Sequence, residues 1–136
     1  MSRVLLLTTE PLPLPGLPAT GAGLRAWGLA EGLRSAGIEF TLMMPSNSLA
    51  SYEGAANETA QGHLPDHVMI FDRPHVRDAV RQFAPDAIVL QHWGMAAELG
   101  EVDCPLAIDL AGPHLLERRL WGSKTPETDL ADKLAA

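Results

Sequence analysis

The stretch Arg3 to Leu42, RVLLLTTEPLPLPGLPATGAGLRAWGLAEGLRSAGIEFTL, holds in order a strand, a proline-rich detour, a helix and a second strand. Val4 to Leu7 is a continuous apolar run, the pattern of a strand covered on both faces, as central parallel strands are. Pro11, Pro13, Pro15 and Pro18 remove backbone donors and fix φ at closely spaced positions, so nothing regular forms before about Thr20 and the segment reads as a long surface loop. From Leu24 onward Ala26, Leu29, Ala30, Leu33 and Ala36 recur at helical spacing, with Trp27 off that stripe beside Arg25. Gly37 supplies the left-handed residue that stops the helix, and Glu39 to Met44 is a strand ended by Pro45.

Outward from that unit the alternation continues. Val68 to Phe71 reads as a third strand, Pro74 to Phe83 as a helix with Pro at a first helical position, and Ala87 to Leu90 as a fourth strand carrying Gln91-His92-Trp93-Gly94 at its carboxyl end. A short helix over Met95 to Leu99 precedes a fifth strand, Pro105 to Leu110. Gly112-Pro113 then opens a helix through Leu115, Leu116 and Leu120, and Ser123 to Glu127 caps a last helix marked by Leu130 and Leu134. Ser46 to Gly62 is polar, without a firm period, and is expected to be a loop. Strands alternating with helices predict a parallel sheet of five or more strands flanked by helices, because a right-handed crossover is the short way back to a parallel neighbour. Ligands on such sheets collect at the carboxyl ends of the strands. That edge is expected to gather Thr8 to Glu10, the Gly21 to Gly23 turn, Pro45-Ser46, Asp72, Gln91 to Trp93 and Asp109 to His114.

The chain has 136 residues, 46% hydrophobic and 20% charged, the size and balance of one globular domain. Its formal charge of -7 argues against a clamp on a phosphate backbone, so no nucleic acid is expected as partner. Cys104 is the single cysteine, which excludes an internal disulfide and suits a reducing compartment. It reads as a small core residue. No apolar run approaches the roughly 18 residues a membrane span needs, and the short run after Arg3 does not make a secretory signal. A cytoplasmic protein is expected, with a peripheral place at the inner face of the membrane left open.

Gly21, Gly23 and Gly28 do not have the dinucleotide spacing, there is no phosphate-loop Gly-Lys-Ser or Gly-Lys-Thr, and the paired acids of a phosphoryl-accepting receiver are missing. NAD binding, ATP hydrolysis and phosphorelay lose weight accordingly. Gly21-Ala22-Gly23 can still aim amide groups at a diphosphate from a positive helix end, or can simply satisfy a turn. His92 is placed to enter the crevice as hydrogen-bond donor or proton carrier, although a single His at a strand end is commonly structural. His114 is similarly placed near Asp109 and Glu117. Trp27 either stacks on a sugar or packs under the proline-rich loop, and Glu117-Arg118-Arg119 is either a solvated face or a source of one hydroxyl-binding acid. His63, His67 and His75 lack ligand spacing and a supporting Cys, so no metal site is expected.

The order Arg3-Val4-Leu5-Leu6-Leu7, then Gly21-Ala22-Gly23-Leu24-Arg25-Ala26-Trp27 with Leu29-Ala30 and Leu33, then Ala36-Gly37-Ile38-Glu39-Phe40-Thr41-Leu42 resembles the N-terminal domain of GT-B glycosyltransferases, in particular the retaining group that uses nucleotide-sugar donors. Pro85-Asp86-Ala87-Ile88-Val89 leading to His92, and Cys104-Pro105-Leu106 leading to Asp109, look like later strands of the same fold. Ile38 stands where that family usually carries His in a Gly-His-Glu-Val turn. The resemblance implies an α/β, Rossmann-like domain over residues 1–136, the acceptor-side half of a two-domain enzyme, truncated or naturally split from a C-terminal domain that binds the nucleotide-sugar. It implies donor-phosphate contacts from Gly21, Ala22 and Gly23 and a donor-sugar contact from His92 as the catalytic position. The acceptor side, a sugar or glycolipid, would be met by Arg25, Trp27, Trp93, His114 and Glu117. No cofactor or metal is implied beyond the nucleotide-sugar co-substrate, and the isolated chain is expected not to turn over. The alternatives are a noncatalytic flavodoxin-like module for a small molecule or nucleotide, and an assembly partner that docks through the cleft face.

Overall fold

The computed structural model describes residues 2–46, 64–91 and 93–110. The helices expected after Gly112 and Ser123, the loop expected beyond Ser46, His63, His92, His114 and Glu117 lie outside the described residues. Five strands form one all-parallel sheet: β1 (Arg3–Leu7), β2 (Glu39–Pro45), β3 (Val68–Phe71), β4 (Ala87–Gln91) and β5 (Leu106–Asp109). Between them run α1 (Gly21–Ser35), α2 (Val76–Phe83) and the single turn α3 (Ala96–Leu99), the last two each preceded by a 3-10 turn, Arg73–His75 and Trp93–Met95. The chain is therefore an α/β, Rossmann-like fold.

The sheet order is β3-β2-β1-β4-β5. The order reverses between β1 and β4, which makes their carboxyl ends the topological switch point. A flavodoxin-like order would place the second strand at the edge and the third beside the first, so that part of the alternative reading is corrected by the topology.

Two cores lie on the two faces of the sheet. On one, Leu5, Leu7, Met43, Phe71, Ile88 and Leu90 meet Val76 and Val80 of α2 and Met95, Ala96 and Leu99 around α3. On the other, Leu6, Leu42, Met44 and Val68 meet Ala26 and Ala30 of α1. The continuous apolar run of β1 follows from burial on both sides.

The proline-rich segment is a loop, but its first half is not at the surface. Leu12 is fully buried and Leu14 nearly so, and both belong to the core under α1. A proline has no N–H to satisfy, so an X-Pro alternation can enter a core with fewer stranded donors, and the Leu12 amide finds the Met44 sulfur at 3.2 Å. The buried stripe of α1 also differs from the expected one. It runs through Gly23, Ala26, Trp27, Ala30 and Leu33, and Leu29 is turned outward. Gly23 belongs to the stripe because a Cβ there would lie 2.1 Å from the Pro11 carbonyl oxygen. The close approach of the loop backbone thus decides which face of α1 turns inward.

The end of α1 is as expected. Gly37 has φ +71°, its amide donates to Arg34 O at 3.0 Å, and Ile38 N donates to Leu33 O at 2.9 Å, the paired bonds of a Schellman stop. After α2, Ala84 takes the left-handed conformation at φ 50° ahead of Pro85.

Candidate functional site

The carboxyl ends of β1, β4 and β5 and the first turn of α1 form one hydrogen-bonded unit. Thr8, directly after β1, is fully buried, and its hydroxyl donates to Gln91 Oε1 at 2.6 Å while accepting from the Glu10 amide at 3.1 Å. Gln91 ends β4 and is itself buried, and its Nε2 donates to the Ala22 carbonyl at 2.5 Å. One amide side chain therefore ties two strand ends to the start of α1. Each buried polar group in the relay has a partner, as burial demands.

One strand further out, Asp109 lies opposite Gln91 in the register of β4 and β5. Its carboxylate takes a two-pronged contact from Arg25, Nε to Oδ2 at 2.6 Å and Nη2 to Oδ1 at 2.7 Å. The matched fork gives this pair geometric definition that a surface lysine pair lacks. Hydrogen bonding to Arg25 holds the Asp109 carboxyl below the usual carboxylate range, and Asp109 in turn raises the already high value of Arg25. Ala22 and Arg25 are three apart, hence on one side of the helix, and both are gripped by the same edge of the sheet.

At the helix start Thr20 is the N-cap. Its Oγ1 accepts from Gly23 N at 3.0 Å, and its carbonyl accepts from Leu24 N at 2.9 Å. Of the glycine-turn amides, Gly23 is thus taken by the cap, and no described group accepts from Gly21 or Ala22. Those two remain as donors at the positive end of a 15-residue helix. A Cβ at Gly21 would meet nothing within 4 Å, so steric need explains Gly23 and does not explain Gly21.

Trp27 is half-buried and its ring packs at a tilt on His67, 5.6 Å between centroids, with Phe40 edge-on to the same imidazole at 5.3 Å. His67 immediately precedes β3, so the indole is directed to the amino end of the sheet, into the core that also holds Leu12 and Leu14. Among the sequence-selected residues, Gly21, Ala22, Gly23 and Arg25 come together at the switch point and Trp27 does not join them. Trp93 begins the 3-10 turn after β4, at the same edge.

At the far edge of the sheet Arg73 follows β3 and reaches across to the turn after β4, donating from Nη2 to Gly94 O at 2.9 Å and pairing with Glu98 at 3.0 Å. Both arginines of the described carboxyl edge are therefore engaged with carboxylates. Among the described residues no group of three or more His, Cys, Asp and Glu side chains could hold a metal ion, and no helix is long and apolar enough to cross a membrane.

Sequence reasoning placed Thr8, Gln91 and Asp109 at this edge without giving them a role. Two signals could have marked them: a Gln closing an otherwise apolar strand, and an Asp at the last position of another strand with an Arg in the first turns of the helix above. No protein-family model matches the chain, and no curated protein matches it at a significant level.

Proposed function

We propose that this domain is the acceptor-side half of a GT-B glycosyltransferase, one that transfers a sugar from a nucleotide-sugar donor to a sugar or glycolipid acceptor. The observation that supports it most is the charge state of the switch point. The helix-terminal amides of Gly21 and Ala22 have no acceptor among the described residues, while Arg25 and Arg73 are each neutralised by a carboxylate. Such an edge donates hydrogen bonds well and neutralises a diphosphate poorly. It suits hydroxyl groups and at most one edge of a phosphate, with the main cationic contacts supplied by a second domain. His92 is proposed as the side chain that meets the donor sugar, and Arg25, Trp93, His114 and Glu117 as residues of the acceptor side.

Calorimetric titration of the purified chain tests this reading. Weak, selective binding of a sugar or glycolipid acceptor, with little heat from free nucleotides, is the expected result. Tight binding of a free nucleotide without acceptor binding would replace it with the noncatalytic binding module, and sugar transfer by this polypeptide alone would contradict the half-enzyme assignment.

A further inference from the structure

A cavity of about 570 Å³ opens at the amino end of β4 and β5, on the sheet face that carries α2, at the other end of the strands from the switch point. One wall is a single side of α2, where Arg77, Val80 and Arg81 recur at three- and four-residue spacing, continued by Ala84 just past the helix end. The opposite wall is the connection from α3 to β5, with Glu101, Val102, Asp103 and Cys104. Leu99 and Pro85 complete an apolar floor.

Arg77 is held in place. Its Nε donates to the Leu99 carbonyl at 3.0 Å, and its guanidinium lies so close to the Gly100 backbone that a Cβ there would fall 1.7 Å from Nη2. Gly100 has φ +63°, so the backbone conformation and the close approach both call for glycine. None of the ion pairs among the described residues uses Arg77, Arg81, Glu101 or Asp103. Burial first, and then the Asp103 and Asp86 carboxylates, push the Cys104 thiol up, away from the thiolate form.

Two arginines and two carboxylates thus line one cavity together with apolar side chains, in a space within the range of small-molecule pockets. A simple anion would gain from the arginines but sit beside the carboxylates, and a simple cation would meet the reverse. A neutral apolar ligand would strip water from all four charges without replacing it. Only a molecule with both signs satisfies both walls. We propose that this cavity binds a small zwitterion with an apolar body, a hydrophobic amino acid or dipeptide, its carboxylate on Arg77 and Arg81 and its ammonium on Glu101 and Asp103.

Because the charged groups are largely solvated, the expected dissociation constant is on the order of 0.1–1 mM. Titrating the isotope-labelled full chain with the dipeptide phenylalanyl-leucine should give saturable amide shifts at Ala84, Gly100, Val102 and Cys104. Capping the dipeptide's amine by acetylation, or its carboxylate as the amide, should each weaken binding about tenfold. Arg81→Gln, at an exposed position without an ion-pair partner among the described residues, should keep the spectrum of the folded chain and weaken the dipeptide about fivefold. No saturable shift at those amides, unchanged affinity in Arg81→Gln, or a loss on capping only one of the two ends would each overturn the zwitterion assignment.

Discussion

The two ends of the sheet use charge in opposite ways. At the carboxyl end, Thr8, Gln91, Ala22, Arg25 and Asp109 bond to one another and fix the start of α1 against three strands. At the amino end, Arg77, Arg81, Glu101 and Asp103 surround an open cavity without pairing to each other. Internally paired groups contribute stability and orient what lies beside them, whereas unpaired groups around a cavity are available to a ligand. The difference predicts that substitutions of the paired groups at the carboxyl end register in stability as well as in acceptor binding, and those at the amino end in binding alone.

The largest effect is expected from Gly23→Ala. The new methyl would meet the Pro11 carbonyl oxygen at 2.1 Å, a backbone atom that cannot step aside without moving the buried loop. A loss of about 3 kcal/mol in urea denaturation is expected. Gly21→Ala, with open space around it, should stay within about 0.5 kcal/mol, and equal losses at the two positions would break the account of the turn.

Next comes Gln91→Leu, which leaves the Thr8 hydroxyl and the Glu10 turn with one buried partner fewer and removes the tie to Ala22. About 2 kcal/mol should be lost, together with faster hydrogen exchange in the first turn of α1. Unchanged exchange there would mean that the helix start is held by its N-cap alone. Thr20→Ala removes the cap to Gly23 and should cost about 1 kcal/mol.

Asp109→Asn sharpens the comparison through pH. The folded carboxyl titrates below its unfolded value of about 3.9, so the stability it contributes is complete above that value and disappears as pH falls through the lower folded one. The wild-type denaturation midpoint should therefore drop across that acid window by a component that Asp109→Asn lacks. Parallel pH curves for the two proteins would show that the fork with Arg25 does not persist in solution. The smallest stability effect belongs to Arg81→Gln, within about 0.5 kcal/mol, with its consequence confined to ligand binding.

Much of the scaffold was legible in the residues because it depends on local chemistry. An apolar run buried on both faces reads as β1, and a glycine that must adopt positive φ marks the end of α1 at Gly37. The proline-rich segment is irregular as expected, but the burial of its first half was missed because proline content reports missing donors and says little about burial. Leu12 and Leu14 enter the core through tertiary contacts with Met44 and α1 that no local pattern announces. The same contacts rotate α1 so that Trp27 faces inward and Leu29 outward, where periodicity alone could not separate two nearly equal stripes. At the site, the position of Gly21 to Gly23 on a helix start followed from sequence, but the division of labour among them did not. Gly23 answers to Pro11, a residue separated from it by most of the loop, and Arg25 answers to Asp109 across the sheet.

The central claim is that the start of α1 and the ends of β1, β4 and β5 make one prearranged recognition edge. An amide-shift map of the isotope-labelled chain, titrated with a panel of sugar acceptors and with nucleotide-sugars, tests it most directly. The account predicts that acceptors perturb Gly21, Ala22, Arg25, Gln91 and Asp109 together as a single saturable set. Perturbations scattered over the surface, or a set that leaves Gly21 and Ala22 unmoved while acceptor binds elsewhere, would contradict it.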